Sequence, residues 1–81
     1  MTTYLKDARH HEERIEHYYA QAGRAGYAQA HYHELQLEKQ LAKAHRSARG
    51  KQDVPIIQVI LERVRLKMAE MKRRESEGGA G

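Results

Sequence analysis

No cysteine occurs in the 81 residues, which excludes a disulfide staple, a thiolate metal site and a cysteine nucleophile. That usage is compatible with a reducing cytoplasm. Tryptophan and phenylalanine are missing too, so five tyrosines are the only aromatic residues. Any core must be built from Leu, Ile, Val, Ala, Met and Tyr. Serine is confined to Ser47 and Ser76, aspartate to Asp7 and Asp53, and no glycine-rich phosphate loop is present. A chain this short also has little room for a pocket. Neither an enzyme nor a cofactor is expected. No apolar run approaches the roughly 20 residues of a membrane helix, and MTTYLKDARHHEER lacks the apolar stretch of a signal peptide. A cytoplasmic protein that does not enter the membrane is the expectation.

What the chain has is charge. The net charge is +4 and the pI about 9.6, with six histidines in reserve. Such a balance favours acidic partners, whether nucleic acid, an anionic protein face or a membrane surface. The length allows one domain, near the size at which a lone core is barely stabilising.

The stretch with most information is DVPIIQVILERVRLKMAEM, Asp53 to Met71. Val54, Ile57, Leu61, Val64, Met68 and Met71 recur in steps of three and four, the seam of a helix that packs lengthwise on others. Asp53 suits an N-cap, and Pro55 falls in the first turn, where its missing N–H is of no consequence. VPIIQVI is rich in β-branched residues, but a seam of about five turns is too long for an ordinary strand. Helix is the expectation, over about 54–75. Ile56, Val59 and Leu66 lie away from the seam and Ile60 flanks it. An apolar side chain left in water forfeits roughly 1.5–3 kcal/mol, and two companion helices can hardly cover both faces. These residues are therefore expected to form a partner or oligomer surface.

Upstream, a helical hairpin is expected over about 3–22 and 27–48, with one unbroken helix through both as the alternative. Leu5, Ala8, Ile15, Tyr19 and Ala22 line one face of the first helix, with Glu12 interrupting. Tyr27, Ala30, Leu37, Leu41 and Ala44 line the second, with Glu34 interrupting. The second stripe is shifted by one residue against the first, a rotation of about 100° that argues for a break. The glycines of AGRAG, up to Gly26, supply it, since each costs roughly 1 kcal/mol inside a helix. The phrase AGRAGYAQA resembles the inter-helix turn of a tetratricopeptide unit. The likeness covers fewer than twenty residues, and the Trp, Leu and Gly positions of that pattern are unmatched, so it implies a hairpin turn and nothing further. From Ser76 the sequence SEGGAG has nothing to bury, and a disordered tail over 76–81 is expected. The fold class is thus all-α: a single three-helix domain over 1–75 and a tail.

Three constellations bear on chemistry. Folding the hairpin about Gly23–Gly26 brings His17 toward His31 and His33. Glu13, His17, His31 and Glu34 are then weak candidates for a bundle metal site, although no His-Glu-x-x-His or paired Glu-x-x-His spacing is present. Glu12 and Glu34 are candidate register-fixing carboxylates. Arg63, Arg65, Lys67, Lys72, Arg73 and Arg74 line the third helix. Like charges flanking its seam oppose parallel self-pairing and call for acidic neighbours, which Glu12, Glu13, Glu16, Glu34 and Glu38 could supply. Alternatively they contact phosphates, with Tyr4, Tyr18, Tyr27 and Tyr32 stacking on bases.

The expected function is stoichiometric protein–protein binding, as an adaptor, inhibitor or assembly component, with a homo-oligomer favoured. Ile56, Val59, Ile60 and Leu66 are the expected apolar anchor, and Arg63, Lys67 and Arg73 the charged rim. A basic nucleic-acid-binding accessory protein is the alternative, and a His/Glu metal-binding bundle the third reading.

Overall fold

The computed structural model describes residues 3–21 and 25–80, and their side chains except at 25 and 75–80. Three helices carry the chain: α1, Thr3–Ala20; α2, Ala25–Arg46; and α3, Val54–Ala80, the last preceded by a 3-10 turn at Gly50–Asp53. No strand occurs among the described residues. The molecule is a rod of 50 × 15 × 14 Å. Twenty-seven residues of α3 account for most of its length, about 40 Å at 1.5 Å per residue.

The helices run up, down, up. His11 on α1 meets His33 on α2, and the Tyr18 backbone approaches Gly26, so α1 and α2 are antiparallel. Glu12 pairs with Arg63 and Glu16 with Lys67, and Tyr19 bonds Glu70, each pair separated by 51 residues. A constant separation means that α1 and α3 run parallel.

Burial follows the expected stripes. Leu5, Ala8 and Ile15 of α1, Ala30, Leu37 and Ala44 of α2, and Val54, Ile57, Leu61, Val64, Met68 and Met71 of α3 form one core. Tyr4, Tyr18, Tyr19, Tyr27 and Leu41 pack at its margin. Ile60 joins them at 2 % exposure. Ala22 and most of the AGRAG turn lie outside the described residues. The backbone of α3 continues to Ala80. Among the described residues the last buried side chain is Met71, and residues 72–74 are exposed; the tail expected from Ser76 falls beyond the described side chains.

Two glycines mark close approaches. An added Cβ at Gly26 would stand 3.1 Å from the Tyr18 carbonyl oxygen, so this glycine serves helix contact rather than the turn. At Gly50 a Cβ would lie 2.7 Å from Ala44 Cα. The end of α2 leads into that point through Ser47, whose hydroxyl accepts the Gly50 N–H at 3.2 Å. Asp53, buried at 8 %, closes the 3-10 turn, and Pro55 follows as the second residue of α3.

Candidate functional site

The outer side of α3 follows from helical periodicity. At about 100° per residue, Leu66 stands opposite the middle of the buried seam, with Val59 beside it and Ile56 further round. Leu66 is 75 % exposed, Val59 49 % and Ile56 43 %. The three-helix core therefore leaves this face uncovered, as the sequence pattern requires. Ile60 differs. Expected as part of the anchor, it lies on the α1 side of α3 and is buried against the core, because α1 runs parallel along that flank.

Pro55, Ile56, Val59, Ile60 and Arg63 of α3, with Arg9 of α1, surround a shallow hollow of about 420 Å³. Its apolar floor lies between two guanidinium groups. Leu66 projects from the same face two turns further on, about 10 Å along the axis. The face thus carries a hole and a knob side by side.

Ion pairs hold α3 in place. Arg63 donates from Nε and one Nη to the two oxygens of Glu12, at 3.0 and 3.2 Å. This forked geometry fits a carboxylate closely, and it keeps the Arg63 pKa above its ordinary value through the hydrogen bond and charge of Glu12. Lys67 donates to Glu16 at 2.9 Å, and Arg65, on the other flank, donates to Glu38 of α2 at 3.2 Å. Arg73 and Arg74 both reach Glu70. The Tyr19 hydroxyl also donates to Glu70, which keeps that carboxyl below its usual range and raises the phenol. Arg74 lies over the Tyr19 ring, 4.6 Å from its centroid.

The histidines are arranged differently from the expected register. His17 bonds Gln21 along its own helix, and His31 bonds Glu34 at 3.2 Å. It is His11 that meets His33, with Nδ1 atoms 2.8 Å apart. The reason is an earlier turn: α1 ends at Ala20 and α2 is already under way at Ala25, each about two residues ahead of the expected bounds, which moves the pairing toward the start of α1. Glu13, His17, His31 and Glu34 are not gathered into one cluster, and among the described residues no group of three or more His, Cys, Asp or Glu is placed to hold a metal ion. Glu12 and Glu34 are both largely covered, at 12 % and 15 % side-chain exposure. Each interrupting carboxylate thus has a partner.

The His11–His33 contact is a feature that sequence reading missed. Burial lowers both pKa values, helped by His10 at His11, and by His11, Arg14 and His10 at His33, while Asp7 opposes the shift at His11. Tyr18 stacks on His33, and His10 and Tyr32 pack edge-on to His11 and His33 respectively.

Among the described residues no helix is long and apolar enough to cross a membrane. No protein-family model matches the chain, and no curated protein or solved structure gives a significant match to it.

Proposed function

We propose that this protein acts by stoichiometric protein–protein binding, as an adaptor, inhibitor or assembly component, through the outer face of α3. The supporting observation is the exposure of Ile56, Val59 and Leu66 on one side of a helix whose opposite side is fully used by the core. Large apolar side chains gathered on one polar-rimmed face mark interaction surfaces. Arg63, Lys67 and Arg73 rim the face, each tied to a carboxylate of its own chain, and so present fixed rather than wandering charges.

The same ion pairs favour protein over nucleic acid as the partner. Phosphate binding draws on cations free to exchange counterions, whereas Arg63, Arg65, Lys67, Arg73 and Arg74 are all paired within the fold. Of the tyrosines considered for base stacking, Tyr4, Tyr18 and Tyr27 pack on the core, leaving Tyr32 exposed. The reading is non-enzymatic, and no step of it calls for a cofactor.

Affinity capture from the native host tests the proposal, with wild-type, Val59→Asp and Leu66→Asp chains as baits of matched circular dichroism. A protein recovered in fixed ratio by wild type and lost by both variants is the expected result. Equal recovery of every protein by all three baits contradicts it.

A further inference from the structure

We infer that the outer face of α2 binds a single strand of nucleic acid, with Lys39, Lys43 and Arg46 on its phosphates and Tyr32 stacked on a base. This face lies on a different side of the bundle from Ile56, Val59 and Leu66, and the inference is independent of the docking reading above.

The charge of the chain is concentrated here. Between Glu38 and Asp53 stand Lys39, Lys43, Arg46, Arg49 and Lys51 and no carboxylate. These five cations exceed the net charge of the whole chain, +4, so all other residues together carry one net negative charge. Every one of the five is exposed, and no ion pair among the described residues engages any of them. They differ in this from the basic residues of α3 paired above, and they keep the freedom to exchange counterions for phosphates.

Helical geometry turns three of them into a stripe. At about 100° per residue, Tyr32, Leu35, Lys39, Lys43 and Arg46 fall within a sector about 80° wide, opposite the buried Leu37. From Tyr32 to Arg46 the stripe runs about 21 Å along the axis. No acidic residue falls within it, since Glu34 and Glu38 lie on the flank and pair with His31 and Arg65. Lys39 and Lys43, and Lys43 and Arg46, stand at the spacings where like charges on a helix repel. The macrodipole accounts for the cations of the last turn, Lys43 and Arg46, but its effect fades within that turn and does not reach Lys39. Nothing within the fold offsets the repulsion, whereas a polyanion laid along the stripe does.

Tyr32 selects among polyanions. Its ring is 57 % exposed and meets His33 edge-on, which leaves a face free, and an aromatic face stacks on any unpaired base. An anionic membrane fits less well. The large apolar side chains of the stripe are Tyr32 and Leu35, both at one end, whereas a membrane-surface helix buries an apolar face along its length.

Fluorescence anisotropy of a labelled oligothymidylate of about 16 nucleotides, titrated with the full chain over a series of salt concentrations, tests the inference. For single strands log K falls with log[salt] by about 0.7 per phosphate neutralised, so the slope should lie between about −2 for the three cations of the stripe and about −3.5 for all five. Lys39→Gln/Lys43→Gln should make the slope shallower by about 1.4, whereas Arg65→Gln/Arg73→Gln, which removes the same charge from α3, should leave it unaltered. Tyr32→Ala should weaken binding roughly tenfold with no change of slope. Tyr32→Trp should restore it, and a strand of abasic sites should bind wild type and Tyr32→Ala alike. These variants change exposed residues, and circular dichroism of each verifies the fold. No binding at the lowest salt, or an equal loss of slope in the two double variants, would overturn this face as the site. Equal or tighter binding of poly-glutamate, of anionic lipid vesicles or of the matching duplex at the same salt would overturn a single strand as its occupant.

Discussion

Replacing Gly50 with alanine sets local propensity against tertiary packing, and the two predict opposite signs. In a helical turn the change ordinarily stabilises by roughly 0.5–1 kcal/mol, because alanine has less conformational freedom to lose. At Gly50 the new Cβ would stand 2.7 Å from Ala44 Cα, 2.9 Å from the Ala44 carbonyl oxygen and 3.1 Å from the Tyr4 ring. The first two are backbone atoms at the end of α2 and cannot rotate aside. Forcing a carbon into a packed site costs about 1–3 kcal/mol, and an obstacle that is main chain puts this case toward the upper end. Subtracting the propensity gain leaves a net loss of about 1–2 kcal/mol. For a domain of this size each kcal/mol moves Tm by about 4–8 °C, so Gly50→Ala should melt roughly 5–15 °C below wild type. Thermal denaturation followed by far-ultraviolet circular dichroism reads this directly. A Tm equal to or above that of wild type would refute the close packing of the 3-10 turn on α2.

Other outcomes follow from burial and titration. Ile60→Ala should cost about 2–5 kcal/mol as a cavity in the core, whereas Leu66→Ala, measured by urea denaturation at the same low concentration, should change monomer stability by no more than about 0.5 kcal/mol; similar losses at the two sites would contradict the division between inner and outer faces. The pair His11–His33 makes stability depend on pH. Both rings are held below their ordinary pKa in the fold, so the neutral forms are favoured there and stability is complete above about pH 6.5, the unfolded value. As pH falls through that value the unfolded chain takes up protons first, and stability declines until the folded rings are protonated as well. The neutral pair already holds one proton in the Nδ1–Nδ1 hydrogen bond; a first added proton goes to the donor ring's Nε2 and keeps that bond, whereas protonation of both rings leaves no acceptor and sets two Nδ1–H groups face to face with their nitrogens 2.8 Å apart. Tm should therefore drop between pH 7.5 and pH 5, and the drop should shrink in His33→Gln; an unchanged Tm over that range, or an identical drop in the variant, would count against the shared-proton contact.

Much of the architecture was legible because the apolar periodicity of each helix is clean. Every seam residue expected in α3, from Val54 to Met71, is buried, and the surplus at Ile56, Val59 and Leu66 is exposed. The acidic neighbours of the basic residues were also readable, since Glu12 and Glu16 repeat the four-residue spacing of Arg63 and Lys67 and meet them at one constant offset. The hairpin register was not. It depends on where along the chain the turn falls, and glycines at 23 and 26 allow several solutions. The earlier turn places His33, not His31, across from α1, and opposite His11 instead of His17. Ile60 was legible in part: periodicity gives its angle on α3, where it lines the hollow, but only the parallel course of α1 decides that its side chain is buried.

The central claim, that the outer face of α3 is a protein-docking surface, is tested most directly by solution mass. Light scattering should be recorded for wild type and Leu66→Asp over a wide concentration range, with circular dichroism on the same samples. The account predicts that wild type forms a species heavier than the 9.4 kDa chain, with itself or with the captured protein added, while Leu66→Asp remains at the single-chain mass with its helices intact. Identical single-chain masses for both proteins throughout, together with unaltered recovery of every protein by the variant bait, would contradict it.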